Sequence, residues 1–250
     1  MKVVIDAGHG GKDPGAVFEG RKEAEDTLAL ALRIGQILQS KGIDVIYTRT
    51  GDMTQTPFEK ATIGNQSGAD LFVSLHRNSS EQPGQYSGVE TLVYDDHGKK
   101  AELARRINAN LDTLGFRNIG VKERPGLVVL RRTSMPAVLV EAGFLNHEKD
   151  NTLFDEKLDA IAQQIADAIA SMEGEFDKPG VYRVQIGLFR LFSNAQYTMM
   201  KAVSKGFQAE IVSKGEYYAV YAGETDSYEK AKEMEQQLQR AGFETLIVET

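Results

Sequence analysis

The stretch Val3-Val4-Ile5-Asp6-Ala7-Gly8-His9-Gly10-Gly11-Lys12-Asp13-Pro14-Gly15 decides how the chain is read. Its first residues are apolar and β-branched, the mark of a buried strand. The run breaks into a turn where Gly8, Gly10, Gly11 and Gly15 permit backbone angles that other residues avoid. His9 is thereby placed at the carboxyl end of a strand, where open α/β sheets put their ligands.

Working outward, residues 22–40 read as a helix, with Leu28, Ala31, Leu32, Gly35 and Leu38 on one apolar stripe. Residues 43–48 read as a second strand, and 57–67 as a helix. A third strand over 70–75 runs straight into His76. Strands are also expected over 88–94, 127–130 and 137–140, the last running into Glu141. Helices are expected over 99–114 and 155–172. Strands alternating with helices predict an α/β fold: a mostly parallel sheet flanked by helices on both faces.

Around Lys178-Pro179-Gly180 the periodicity stops. The expected division is therefore a domain over 1–174, a linker over 175–179 and a second domain over 180–250. The second domain repeats itself. Gly180-Val181-Tyr182-Arg183-Val184-Gln185 matches Gly215-Glu216-Tyr217-Tyr218-Ala219-Val220 at a spacing of 35, and Gly206-Phe207 matches Gly242-Phe243 at 36. Each half reads strand, helix, strand, which predicts a small ferredoxin-like βαββαβ domain.

Composition narrows the function classes. With 29 basic and 36 acidic residues the net charge is −7, and no basic stripe offers itself to nucleic acid. No apolar run approaches the ~20 residues of a membrane span. The absence of cysteine excludes disulfides, thiolate metal sites and a cysteine nucleophile. A strand beginning at residue 2 leaves no room for a signal peptide, so synthesis in the cytoplasm is expected.

Of the four histidines, His9 and His76 directly follow apolar strands, as Glu141 does. Side chains at the ends of parallel strands converge on one sheet edge. Two imidazoles and a carboxylate suit Zn²⁺, with a fourth position left open. The competing reading of each histidine is a hydrogen-bonded turn residue. Phosphate-cradle patterns fail: the glycines do not complete G-x-G-x-x-G, and Ala16 stands where a P-loop needs Lys. His97 and His147 read as solvated surface.

Four motifs carry a resemblance: residues 6–16, Lys22-Glu23 opening a helix, Ser74-Leu75-His76-Arg77-Asn78, and residues 136–145. In this order, over about residues 1–172, they resemble the zinc-dependent N-acetylmuramoyl-L-alanine amidases. That family cleaves the amide between muramic acid and the L-alanine of the peptidoglycan stem peptide. The resemblance implies one Zn²⁺ held by His9, Glu23 and His76, with Glu141 as the catalytic glutamate acting on the attacking water. Glu25 competes with Glu23, which is preferred for lying five residues before Leu28. Asn78 is a candidate for orienting substrate or supporting the site, with a purely structural role as the competing reading. Lys60 departs from the family's usual Arg, a difference read as bearing on substrate detail.

The C-terminal half-repeats resemble the SPOR (sporulation-related) domain, which binds glycan strands stripped of their peptides. That resemblance makes Tyr182, Gln185, Tyr217 and Tyr218 candidates on the open face of its sheet. The implied partners are peptidoglycan glycan strands and stem peptides. Access to the wall would come on cell lysis or through holin-type pores, as for a sporulation mother-cell lysin or a phage endolysin. The competing readings are a wall-binding protein without catalysis and a zinc peptidase cutting within the stem peptide.

Overall fold

The computed structural model describes residues 1–175, 181–225 and 228–249, which fall into two compact units, Met1–Gly174 and Glu175–Thr250. The expected linker lies, apart from Glu175, outside the described residues. In the first unit the elements run β1 (Lys2–Ala7), β2 (Val17–Phe18), β3 (Arg21–Lys22), α1 (Glu23–Ser40), β4 (Asp44–Tyr47), α2 (Pro57–Ser67), β5 (Leu71–Asn78), β6 (Val89–Val93), α3 (Gly98–Asp112), β7 (Asn118–Glu123), α4 (Val128–Arg131), β8 (Ala137–Phe144) and α5 (Glu148–Ala170).

Six strands form one sheet in the order β4-β1-β5-β8-β6-β7. All neighbours are parallel except β6 and β8, so the sheet is mostly parallel, as its alternation of elements predicts. Val3, Val4, Ile5, Leu71, Phe72 and Val73 are fully buried in its centre. The chain steps from β1 outward to β4, then back across β1 to β5. Right-handed crossovers therefore put α1 and α2 on opposite faces. It also makes the gap beyond β1 and β5 a topological switch point. Thr56 caps α2 with a reciprocal capping box: its hydroxyl accepts from Glu59 N–H, and Glu59 accepts from Thr56 N–H.

Four local expectations change. Leu127-Val128-Val129-Leu130 is helical rather than extended, with Arg131 N–H donating to Leu127 O at 3.0 Å. A four-residue apolar run does not distinguish strand from buried helix, and among the described residues no strand pairs with this one. The edge strand β7 goes unannounced because Asn118, Gly120, Lys122 and Glu123 are poor strand formers on a half-exposed edge. Helix α5 begins at Glu148 and carries a non-helical kink at Lys157, so only its second segment shows an uninterrupted stripe. In α1 the buried stripe is Ala24, Thr27, Leu30, Ala31, Ile34, Gly35 and Leu38, while Leu28 and Leu32 are half-buried at its margin.

The second unit contains β9 (Tyr182–Phe189), α6 (Phe192–Ser204), β10 (Ala209–Lys214), β11 (Tyr217–Thr225), α7 (Tyr228–Arg240) and β12 (Leu246–Glu249). Its sheet, ordered β10-β11-β9-β12, is antiparallel throughout and is the predicted ferredoxin-like arrangement. Ala195 and Ala202 of α6, Ala231 and Leu238 of α7, and Val184, Ile186, Val220 and Ile247 share one core. Both helices thus cover the same face.

One acid in this unit carries a pH-dependent cost. Glu235 is buried on α7 and accepts from the Thr245 hydroxyl at 3.0 Å. Burial pushes its carboxyl up to about 7, against the pull of Thr245 and Lys232. Between the unfolded value and 7 the folded chain holds a proton that the unfolded chain has lost, so stability falls as pH rises through that window. Glu235→Gln removes the effect. Hydrogen exchange of α7 and β12 amides should show the variant level with the parent near pH 4.5 and ahead by up to about 3 kcal/mol at pH 8. Equal protection at both values would contradict it.

Candidate metal centre

His9 follows β1 with φ +59, a left-handed conformation costly for a side chain of its size. The surrounding backbone holds it there. Gly8 N–H donates to Leu75 O at 3.0 Å, continuing the β1–β5 ladder, and Gly10 and Asp13 exchange two backbone hydrogen bonds. Buried Arg49 donates to the Ala7 and Gly8 carbonyls at 3.0 and 2.9 Å, and Thr27 donates to Gly8 O at 2.8 Å. Below the turn, Asp6 is fully buried. It accepts from the Thr48 and Ser74 hydroxyls at 2.6 Å each and from Lys60 at 2.7 Å. Burial disfavours the Asp6 charge, but Lys60 and the hydroxyls hold its pKa below the ordinary value.

Lys60 is therefore a buried strut rather than a substrate contact. Its ammonium also donates to Ala7 O, so one side chain joins α2 to the end of β1. Neither Asp6, Arg49 nor Lys60 was singled out for this role from sequence. The signal was available: a carboxylate ending a buried strand demands a cationic partner.

Glu23 opens α1, and the β2–β3 hairpin delivers it under the turn. One oxygen accepts from Ala16 N–H at 2.9 Å; the other accepts from Arg77 N–H at 3.0 Å. That second oxygen also lies 2.9 Å from His76 Nδ1 and 3.2 Å from His9 Nε2. Ligand atoms of His9, Glu23 and His76 all lie within 4.8 Å of one another. The rings of His9 and His76 stand edge to face, 4.9 Å apart. Glu25, the competitor, is exposed and pairs with Lys22.

Burial opposes charge on Glu23, but hydrogen bonds from His76 and His9 outweigh it and hold the carboxyl far below its usual range. Burial likewise opposes charge on His9, yet Glu23 and Asp13 raise it to about 9. Asp13 Oδ2 sits 2.8 Å from His9 Nδ1, which leaves Nε2 turned toward Glu23 and His76. A carboxylate behind a ligating imidazole is a frequent support of metal sites. Asp13 lies four residues beyond His9 and was not singled out from sequence.

The donor set fits zinc: two imidazole nitrogens and one carboxylate, with no thiolate in the chain. The pocket is also shaped around these groups. A Cβ on Gly8 would lie 2.5 Å from His76 Cε1, and one on Gly15 would lie 2.6 Å from Glu23 Oε2. Gly8 does not have a positive φ, so its glycine is required for space; Gly15, at φ +67, is required for both.

Glu141 lies in β8 directly beside His76 in register, with Glu90 of β6 on its other side. Its Oε2 is buried and has no hydrogen-bond partner. Burial pushes the carboxyl up to about 7; His76 pulls it down, and Glu23 and Glu90 push it further up. Asn78 donates to Glu90 at 2.7 Å, and Lys122 pairs with Glu90. The antiparallel turn of β6 is what brings Glu90 to this edge.

The other candidates fall elsewhere. His97 is exposed, while His147 accepts from Asp150 N–H as the cap of α5. Tyr182 is 3% exposed in the helix-backed core, its ring against Tyr228, and Tyr218 packs on the same core. They do not lie on the open face, because strand alternation sends 182, 184 and 186 inward. Gln185 alternates to the other face, where it is buried. Tyr217 is half-buried and accepts from Arg190 at 3.2 Å. Arg183 and Tyr221 line a cavity of about 380 Å³ on that face, with Glu210 and Glu224.

Comparison with known proteins identifies the family of each unit. The N-acetylmuramoyl-L-alanine amidase family profile matches residues 3–171, and the SPOR domain profile matches residues 178–249. The chain is 32% identical to the sporulation-specific N-acetylmuramoyl-L-alanine amidase of Bacillus subtilis, over 86% of this chain and 85% of that protein. It is 35% identical to the endolysin of Bacillus phage SPP1, over 68% of this chain and 65% of that one. The catalytic domain of CwlV, an amidase of Bacillus (Paenibacillus) polymyxa, superposes with a TM-score of 0.64 at 34% identity, covering 69% of this chain and 98% of that domain. By these matches the chain belongs to the N-acetylmuramoyl-L-alanine amidase family and carries a SPOR domain behind its amidase domain.

Proposed function

We propose that the chain is a zinc-dependent hydrolase of the amide between N-acetylmuramic acid and L-alanine in peptidoglycan. The observation that carries this reading is the meeting of His9, Glu23 and His76 within 4.8 Å, with the unpartnered Glu141 oxygen alongside. His9 Nε2, Glu23 Oε1 and His76 Nδ1 would hold one Zn²⁺. Bound there, the ion lowers the pKa of water and polarises a carbonyl.

The chain's own groups supply the rest. Glu141 takes a proton from the attacking water as its oxygen bonds to the lactyl carbonyl carbon. It then delivers that proton to the alanine nitrogen as the C–N bond breaks. A carboxyl held near 7 by burial suits both halves of this exchange. Glu90, fastened by Asn78 and Lys122, holds the far side of Glu141's place in the sheet. Asp13 keeps the His9 ring turned toward its partners.

Residues 1–174 are the catalytic domain in this reading and 180–250 the wall-binding one, joined over 175–179. Glycan is held on the sheet face opposite α6 and α7, where half-buried Tyr217 lies and Arg183 lines a cavity, with Gln185 and Tyr221 buried beneath as the floor of that face. Tethering the two domains raises the local concentration of substrate without any new contact at the catalytic centre. No helix among the described residues is long and apolar enough to cross a membrane. In this reading the protein reaches the wall by cell lysis or holin-type pores.

The test is to digest purified sacculi and identify the new ends by mass spectrometry. The expected products are intact stem peptides with free N-terminal L-alanine and glycan with unsubstituted lactyl carboxyls. New termini inside the stem peptide would instead make the enzyme a peptidase.

A further inference from the structure

A second cleft, of about 740 Å³, opens on the same sheet edge. Asn78 and Phe144 line it, the first two residues past His76 and the second three past Glu141. Its outer wall is Ile119 and Arg117 at the start of β7, and its rim is the loop carrying Glu81 and Tyr86. Strand geometry sets its distance from the chemistry. Arg117 precedes β7, two strands over from Glu141 and about two residues along, or ~12 Å between backbones. A peptide extending from the scissile amide covers that span in three or four residues.

The cleft is built rather than incidental. Asn146 fastens Ser80 through both its backbone groups and accepts with its own carbonyl from Gly84 N–H; Asp150 accepts from Gly88 N–H. Tyr86 is 57% exposed, and its ring leans on Phe144 at 6.2 Å, an apolar shelf on the cleft wall. The charges then sort into two kinds. Lys122 and Glu90 neutralise each other. Arg117 and Glu81 are exposed and, among the described residues, have no ion-pair partner. A free guanidinium and a free carboxylate facing one cleft match a ligand end that bears both an ammonium and a carboxylate.

Resting on the amidase reading, we propose that this cleft is the subsite for the third stem-peptide residue and selects a side chain ending in both an ammonium and a carboxylate. Arg117 receives that carboxylate, Glu81 the ammonium, and Tyr86 the methylene stem between. The enzyme therefore discriminates diaminopimelate, which carries both groups, from lysine, which carries only the ammonium.

The test uses the full-length, zinc-loaded protein and two soluble N-acetylmuramoyl tripeptides that differ only in diaminopimelate or lysine at the third position. The expected kcat/KM ratio favours diaminopimelate by about tenfold. Arg117→Ala brings the ratio to about one, whereas Glu81→Gln lowers both values alike and preserves it. A parent ratio near one, or a ratio that survives Arg117→Ala, overturns the proposal. Calorimetry with the two free tripeptides reads the cleft without any chemistry, and tighter binding of the diaminopimelate form is expected there too. If neither muramoyl substrate is cut, the amidase reading fails. Equal tripeptide affinities would sink the subsite by itself.

Discussion

Glu141→Gln lowers the rate of amide cleavage by about a thousandfold and leaves the metal content unchanged. Gln copies the shape and burial of Glu but can neither accept nor return a proton, so the loss isolates general acid–base work, on the order of 10²–10⁴. The Oε2 atom makes no hydrogen bond, so no structural contact is lost with it. Removing a buried carboxyl beside Glu23 and Glu90 also relieves repulsion, and the variant should fold at least as well as the parent. The checks are kcat on a soluble muramoyl peptide and zinc per chain after gel filtration. A loss of less than tenfold with metal retained would remove Glu141 from the chemistry.

Gly8→Ala is expected to disable the centre without touching any of the three metal-facing side chains. The new methyl would lie 2.5 Å from His76 Cε1, 2.7 Å from its Nε2 and 2.7 Å from Leu75 O. Leu75 O is backbone and accepts from Gly8 N–H, so it cannot retreat without parting β1 from β5. The imidazole must move instead, and zinc affinity should fall by about 100-fold, as when a metal-bound histidine loses its support. Overpacking of this kind also costs about 1–3 kcal/mol of stability. Gly51→Ala is the control, since nothing lies within 4 Å of its Cβ and its φ is not positive. Competition with a chromophoric chelator reads both affinities. Unchanged affinity in Gly8→Ala would show that the site is not shaped as described.

Much of the centre is legible before any fold is known, because His9, His76 and Glu141 each end a run of apolar residues. Each of these runs carries β-branched residues and stops at a turn or a polar residue, which favours a strand, and parallel strands end on a shared edge. Glu23 is different. It lies in a helix's first turn, where acids are ordinary, and only the hairpin of Val17–Phe18 against Arg21–Lys22 carries it beneath His9. Its identification came from resemblance to a family. The same holds for Lys60: its burial beside Asp6 depends on how α2 lies on the sheet, and helix periodicity is blind to that.

The misread segments share a cause. Residues 127–130 are apolar enough for a strand and β7 is too polar for one, yet each takes its state from what packs beside it. Tyr182 and Tyr218 went to the inner face of the second sheet because the alternation of β9 and β11 is set by the core beneath α6 and α7. Glu90 lies beyond sequence reasoning of this kind, since it reaches Glu141 only through the one antiparallel pairing in the sheet.

The most direct measurement is to strip the purified protein of metal, confirm the loss by elemental analysis, and assay release of L-alanine-terminated peptides from sacculi before and after adding zinc back. Release should stop in the stripped protein and return at one zinc per chain, while His76→Ala recovers nothing at that ratio. Undiminished release from protein shown to hold no metal would contradict the account.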